Sequence, residues 1–132
     1  MGWLFVFLIL LAGCGGSTSY QKPQDLAVDF WNMAFYSPSK CEEFMVQNMA
    51  VAFGRGGLLA PASKEQARLF CQSLSDYTKL YTKPINITAQ VGTEYEKDKR
   101  YLISVFLHHQ RGEPTRVDLY VVKIKERWYV VP

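Results

Sequence analysis

RVDLYVVKIKERWYVVP, residues 116–132, reads as two strands joined by a tight turn. β-Branched and aromatic side chains alternate with polar ones, the period-two pattern of a half-buried strand. Over residues 115–123, Val117, Leu119 and Val121 fall on one strand face, and Asp118, Tyr120 and Val122 on the other. Lys125-Glu126 makes the turn, and residues 127–131 return. Upstream, Arg111-Gly112-Glu113-Pro114 is a second turn. It follows a long strand over residues 100–109, with Tyr101, Ile103, Val105 and Leu107 on one face. Glu96-Lys97-Asp98-Lys99 is a third turn, and residues 85–91 alternate once more. The C-terminal half is therefore expected to be an antiparallel meander.

The first half has the helical period instead. Pro23 suits a first helical turn. From there Leu26, Ala27, Phe30, Trp31, Ala34 and Phe35 form one apolar stripe, ending near Tyr36. Ser39-Lys40-Cys41-Glu42 has capping-box spacing and predicts a short helix through Asn48. Ser63-Lys64-Glu65-Gln66 repeats the device, and the third helix carries Ala67, Phe70, Cys71, Leu74 and Tyr77 on one side. FGRGGLLAP, residues 53–61, reads as a loop freed by its glycines, a candidate lid over a pocket. It lacks the GK[ST] ending and the preceding strand of a phosphate-cradling loop. Helices first and hairpins last predict an α+β domain, with helices packed on one face of a curved antiparallel sheet.

Farther upstream the character changes again. An apolar run from Trp3 to Leu10 leads into Leu11-Ala12-Gly13-Cys14. The run is too short for a bilayer span, which needs about 20 residues. It suits a secretory segment with small residues at its cleavage site, although no Lys or Arg precedes it. LAGC resembles the lipobox of bacterial lipoproteins. That resemblance implies residues 1–13 as a signal peptide, a lipidated Cys14 and membrane attachment through its acyl chains. Gly15, where an Asp would favour inner-membrane retention, points to an outer-membrane lipoprotein facing the periplasm. Residues 14–22 are the expected tether, polar and rich in Gly and Ser. Export brings the remaining thiols, Cys41 and Cys71, into an oxidising compartment where they are expected to pair. The alternative reading makes both of them small buried apolar residues.

Two segments carry a second resemblance. PQDLAVDFWNMAFY (residues 23–36) looks like the first helix of the nuclear transport factor 2-like superfamily, and the quoted C-terminal segment looks like its last hairpin. The likeness covers residues 23–132. It implies a cone of sheet closed by helices around an apolar cavity. Members include isomerases, dehydratases, ligand binders and secretion-machine subunits, so the fold does not name an activity.

The chemistry-bearing residues are few. The net charge of +3 is too small to argue for nucleic acid. Asp29, Tyr36, His108, Asp118 and Tyr120 are the acids, bases and donors that such a cone could use. Phe30, Trp31, His108, Asp118, Tyr120 and Trp128 are the candidate pocket residues. His108 and His109 are strand neighbours that point to opposite faces, so they cannot chelate one metal together. No metal set and no cofactor fingerprint accompanies them, and neither a metal nor a cofactor is expected. The expectation is a lipid-anchored binding or interaction module, taking an apolar small molecule or a protein partner, with a homodimer as one form of the latter. The competing readings are an isomerase or hydro-lyase working through a pocket acid or base, and a subunit of an envelope or secretion assembly.

Overall fold

The computed structural model describes residues 20–132. The expected leader (1–13), the lipid site Cys14 and most of the expected tether lie outside the described residues. Helix α1 (Pro23–Tyr36) starts on its proline, with Asp25 in the first turn, where the helix dipole favours a carboxylate. Leu26, Ala27, Phe30, Trp31 and Ala34 of the stripe read from spacing are buried, Met33 joins them, and Phe35 at its end is half-buried. The helix stops at Ser37, ahead of Pro38, which disfavours helical backbone in the residue before it.

A 3-10 turn, Pro38–Lys40, runs directly into α2 (Cys41–Asn48). Here the expected capping box at Ser39 is corrected. Ser39 lies inside the 3-10 turn, Lys40 occupies the cap position, and no side chain caps α2. Pro38 is the reason: its fixed φ begins the helical turn one residue before Ser39, which takes Ser39 out of the extended geometry a capping serine needs. Ser63 does what Ser39 does not. It caps α3 (Lys64–Thr78): its Oγ accepts from the Gln66 amide at 3.1 Å, and Gln66 Oε1 accepts from the Ser63 amide at 2.8 Å.

Residues 53–61 are also corrected, from a loop to part of a hairpin. β1 (Ala50–Phe53) pairs antiparallel with β2 (Leu58–Pro61), Phe53 facing Leu58 across a four-residue tip. Gly54 and Gly57 take φ of 71° and 68°, a left-handed backbone that glycine enters without steric cost. The hairpin stands beside the main sheet. Met49 bridges Val130 in parallel, and Met49 also accepts from the Ala62 amide at 2.8 Å.

The main sheet is the expected meander: β3 (Asn86–Glu96), β4 (Arg100–His108), β5 (Thr115–Ile124) and β6 (Arg127–Val131), antiparallel in the order β3-β4-β5-β6. β3 runs well past Val91. Its register slips at Val91/Thr93 and again at Glu94/Glu96, and such bulges bend a strand and help to curve a sheet. Gly92 sits at the first bulge, where a Cβ would collide with the Ser104 side chain and come within 3.2 Å of the Leu102 carbonyl.

Ile87, Ile103, Val105, Leu107, Val117, Leu119, Val121, Trp128 and Val130 are buried on the face that joins the core. Leu26, Phe30 and Trp31 of α1, Met45 of α2 and Leu74 of α3 complete it. Each fully buried side chain of this size contributes roughly 1.5–3 kcal/mol. Cys41 of α2 and Cys71 of α3 form a disulfide, with their Cα atoms 5.9 Å apart. The three helices and the sheet thus share one core, and a covalent link ties the second helix to the third.

Candidate functional site

β6 does not run the length of β5. Its last pairing, Val131 with Tyr120, leaves residues 115–119 of β5 with no strand on that edge. An open groove of about 540 Å³ lies there. Phe30 and Trp31 line it from α1, and Phe70, Ser73, Leu74 and Tyr77 from α3. Leu102, Asp118, Leu119, Tyr120, Val131 and Pro132 complete the wall from the sheet. Because this is a sheet edge, residues from both strand faces border the same space, Leu119 from the core side and Asp118 and Tyr120 from the other.

Aromatic contacts build the helical wall. Phe30 meets Trp31 edge-on at 5.0 Å between ring centroids and Phe70 at 6.1 Å, while Trp31 reaches Tyr77 at 6.0 Å. Phe30 and Trp31 are 1% and 3% exposed, so they form a rigid floor rather than a flexible rim. The Trp31 indole N–H is buried with no acceptor among the described residues. Leaving such a donor unpaired costs about 1–3 kcal/mol.

Three polar groups of the groove wall, Asp118, Tyr120 and Tyr77, are paired with neighbours. Asp118 accepts from Arg116 Nε at 3.1 Å in an exposed ion pair. The Tyr120 hydroxyl accepts from Arg100 at 3.3 Å, and the Tyr120 ring packs edge-on against Tyr95. The Tyr77 hydroxyl is 3.0 Å from that of Tyr81. That hydrogen bond, with burial second, pushes the Tyr77 phenol up to about 12. Tyr77 therefore stays protonated at neutral pH and is neither a base nor an anion.

Of the six candidate pocket residues, Phe30, Trp31, Asp118 and Tyr120 border this groove. His108 and Trp128 do not. His108 is at the end of β4, its Nε2 2.7 Å from the Thr88 hydroxyl, and His109 lies beside it, 2.9 Å from the Thr115 hydroxyl. Trp128 is buried in the core against Tyr101, with ring centroids 5.4 Å apart. Asp29, on α1, accepts from the Tyr20 hydroxyl at 2.9 Å, and Tyr36 is exposed under Lys83. Burial and the hydrogen bond to Asp29 raise the Tyr20 phenol well above its ordinary value. Phe70, Leu74 and Tyr77 were legible as a helix stripe but not as groove lining. Ser73, Leu102, Val131 and Pro132 carried no signal, because their role depends on where β6 stops. Among the described residues, no three His, Cys, Asp or Glu side chains are placed to hold a metal ion.

The same architecture occurs in known structures. A Campylobacter jejuni protein provisionally named an NTF2-like transpeptidase superposes with a TM-score of 0.53 at 13% identity, over 84% of this chain and 98% of that one. The fold is NTF2-like. A designed NTF2 protein, with a TM-score of 0.40 at 14% identity over 81% of this chain and 87% of its own, is a more distant likeness. No family model matches the sequence, and no curated protein matches it significantly. At these identities the NTF2-like fold is what is shared, and the chemistry has to be argued from the groove itself.

Proposed function

We propose that this chain is a non-enzymatic binding module, held by a lipid on Cys14 at the periplasmic face of a bacterial outer membrane, whose NTF2-like groove takes a small apolar molecule. One observation carries the binding role: a groove of about 540 Å³ with an aromatic floor, where Asp118, Tyr120 and Tyr77 are already paired with neighbours. Pockets of this volume, mostly apolar with a few polar groups, suit small ligands. Acid–base catalysis needs a titratable group within hydrogen-bond reach of the reacting atom. Asp118 is the carboxylate at hand, and it is exposed and paired with Arg116. Transpeptidation would need an activated nucleophile. Cys41 and Cys71 are bonded to one another, and neither histidine borders Ser73 across the groove. The anchor is supported by Leu11-Ala12-Gly13-Cys14 behind an apolar run, and the disulfide suits an oxidising compartment.

The test is the mature chain with Cys14→Ser, recovered from a bacterial periplasm and weighed under native and then denaturing conditions. The expected result is a small mass that is lost on denaturation and is absent from Ser73→Trp, which fills the groove. A bare native mass, together with no uptake of an added apolar fluorophore, overturns the binding role. The anchor is read separately: the wild-type chain is expected in the membrane fraction and Cys14→Ser in the soluble one.

A further inference from the structure

The β1–β2 hairpin leaves a conspicuous apolar tip. Phe53 and Leu58, paired across the strands, are 54% and 64% exposed. Between them lie only Gly54, Arg55, Gly56 and Gly57, all exposed. The hairpin leans on the β5–β6 turn, where Phe53, Leu58, Leu59, Ile124, Lys125 and Tyr129 border a second depression of about 410 Å³. Arg55 and Lys125 are in no ion pair among the described residues, and Glu126, the carboxylate of that turn, is paired with Lys123 at 3.7 Å. An apolar pair is thus flanked by two cations, Arg55 and Lys125, that form no ion pair among the described residues.

The described chain begins at Tyr20, beside the first helix rather than on the sheet. The Tyr20 hydroxyl donates to Asp29 of α1 at 2.9 Å. Five residues lie between Cys14 and Tyr20, a reach of about 20 Å at full extension. A lipid on Cys14 would therefore keep Tyr20, and the start of α1 after it, within about that distance of the bilayer, close enough for other surface elements to meet it.

We propose that the β1–β2 hairpin is a membrane-contact element: Phe53 and Leu58 enter the interface of an anionic bilayer while Arg55 and Lys125 meet its phosphate headgroups. Apolar side chains flanked by cations bind interfaces by this combination of burial and attraction. The proximity to a bilayer rests on the anchor reading, but the contact does not. It is tested on the unlipidated chain, residues 14–132 with Cys14→Ser, which holds every element and the whole core described above.

The probe is flotation with vesicles of phosphatidylcholine alone or mixed equally with phosphatidylglycerol. The wild-type hairpin is expected to float with the anionic vesicles and to be released by salt, which screens charge. Phe53→Ser with Leu58→Ser lowers partitioning by about tenfold or more. Arg55→Glu lowers it by a similar factor, roughly tenfold. In Phe53→Trp, emission shifts to the blue on mixing, and the signal is clean because Trp31 and Trp128 are buried and Trp3 is absent from this fragment. Both serine positions are exposed, so circular dichroism should show an unchanged fold. No flotation of the folded wild type overturns the proposal, as does equal flotation of the serine variant. A dimer that the serine substitutions dissolve overturns it too, since the tip would then dock a second copy.

Discussion

Lys125 and Glu126 turn β5 into β6 with φ of 49° and 68°, both left-handed, and neither is glycine. A two-residue hairpin demands that geometry, because its twist matches the strands. For an L-residue it costs roughly 1–2 kcal/mol. Glu126→Gly removes the penalty at the price of a freer unfolded chain. It is expected to stabilise the protein by about 1 kcal/mol, read as a higher urea midpoint with an unchanged slope. The Lys123–Glu126 pair lost in the exchange is solvent-exposed at the glutamate and contributes little. The turn was plain in the sequence because polar residues interrupt two alternating runs, whereas its backbone cost was not. Gly92 hid more. Its lack of a side chain ended the alternating pattern at Val91, while the strand continues through it on a bulge where the Ser104 side chain leaves no room for a Cβ. His108 was a candidate because of its chemistry, and the threonine beside it, twenty residues upstream in sequence, could be recognised only from register.

Ser39 and Ser63 open the same Ser-x-x-Glu/Gln pattern and end in different places. Pro38 precedes Ser39 and draws it into a helical turn, whereas Ser63 is extended, with φ of −78° and ψ of 168°. Ser63→Ala is therefore expected to lower stability by about 0.5–2 kcal/mol, with Ser39→Ala close to neutral, as a pair of thermal melts would show. Long elements with a clear period, α1, α3 and the meander, were legible because burial enforces the pattern over many residues. β1 and β2 were not. Each has four residues, too few for a period, and Ala50-Val51-Ala52-Phe53 shows no polar alternation. The available signal was two short apolar runs either side of Gly54-Arg55-Gly56-Gly57, a symmetric arrangement that a lid does not require. The groove was legible by half: its aromatic floor follows from the α1 stripe, but its opening is set by the residue at which β6 ends.

Across the described residues, the order of elements carried the architecture, since three helices, with a short hairpin before the third, followed by four alternating strands have few ways to bury both sets of apolar faces. The Cys41–Cys71 bond closes a loop of 30 residues in sequence and ties α2 to α3. In the chain-entropy model such closure contributes about 3–4 kcal/mol. Replacing both cysteines by serine is expected to lower unfolding stability by that amount, and reductant should have the same effect on the wild type. The closed loop has a further consequence. Arg55, at the exposed hairpin tip, lies inside it. A single trypsin cut there would yield a nicked protein in two covalently joined pieces, heavier than the intact chain by one water and separable only after reduction. Any sorting or degradation that begins at the tip would then act on a molecule that keeps both halves until its thiols are freed.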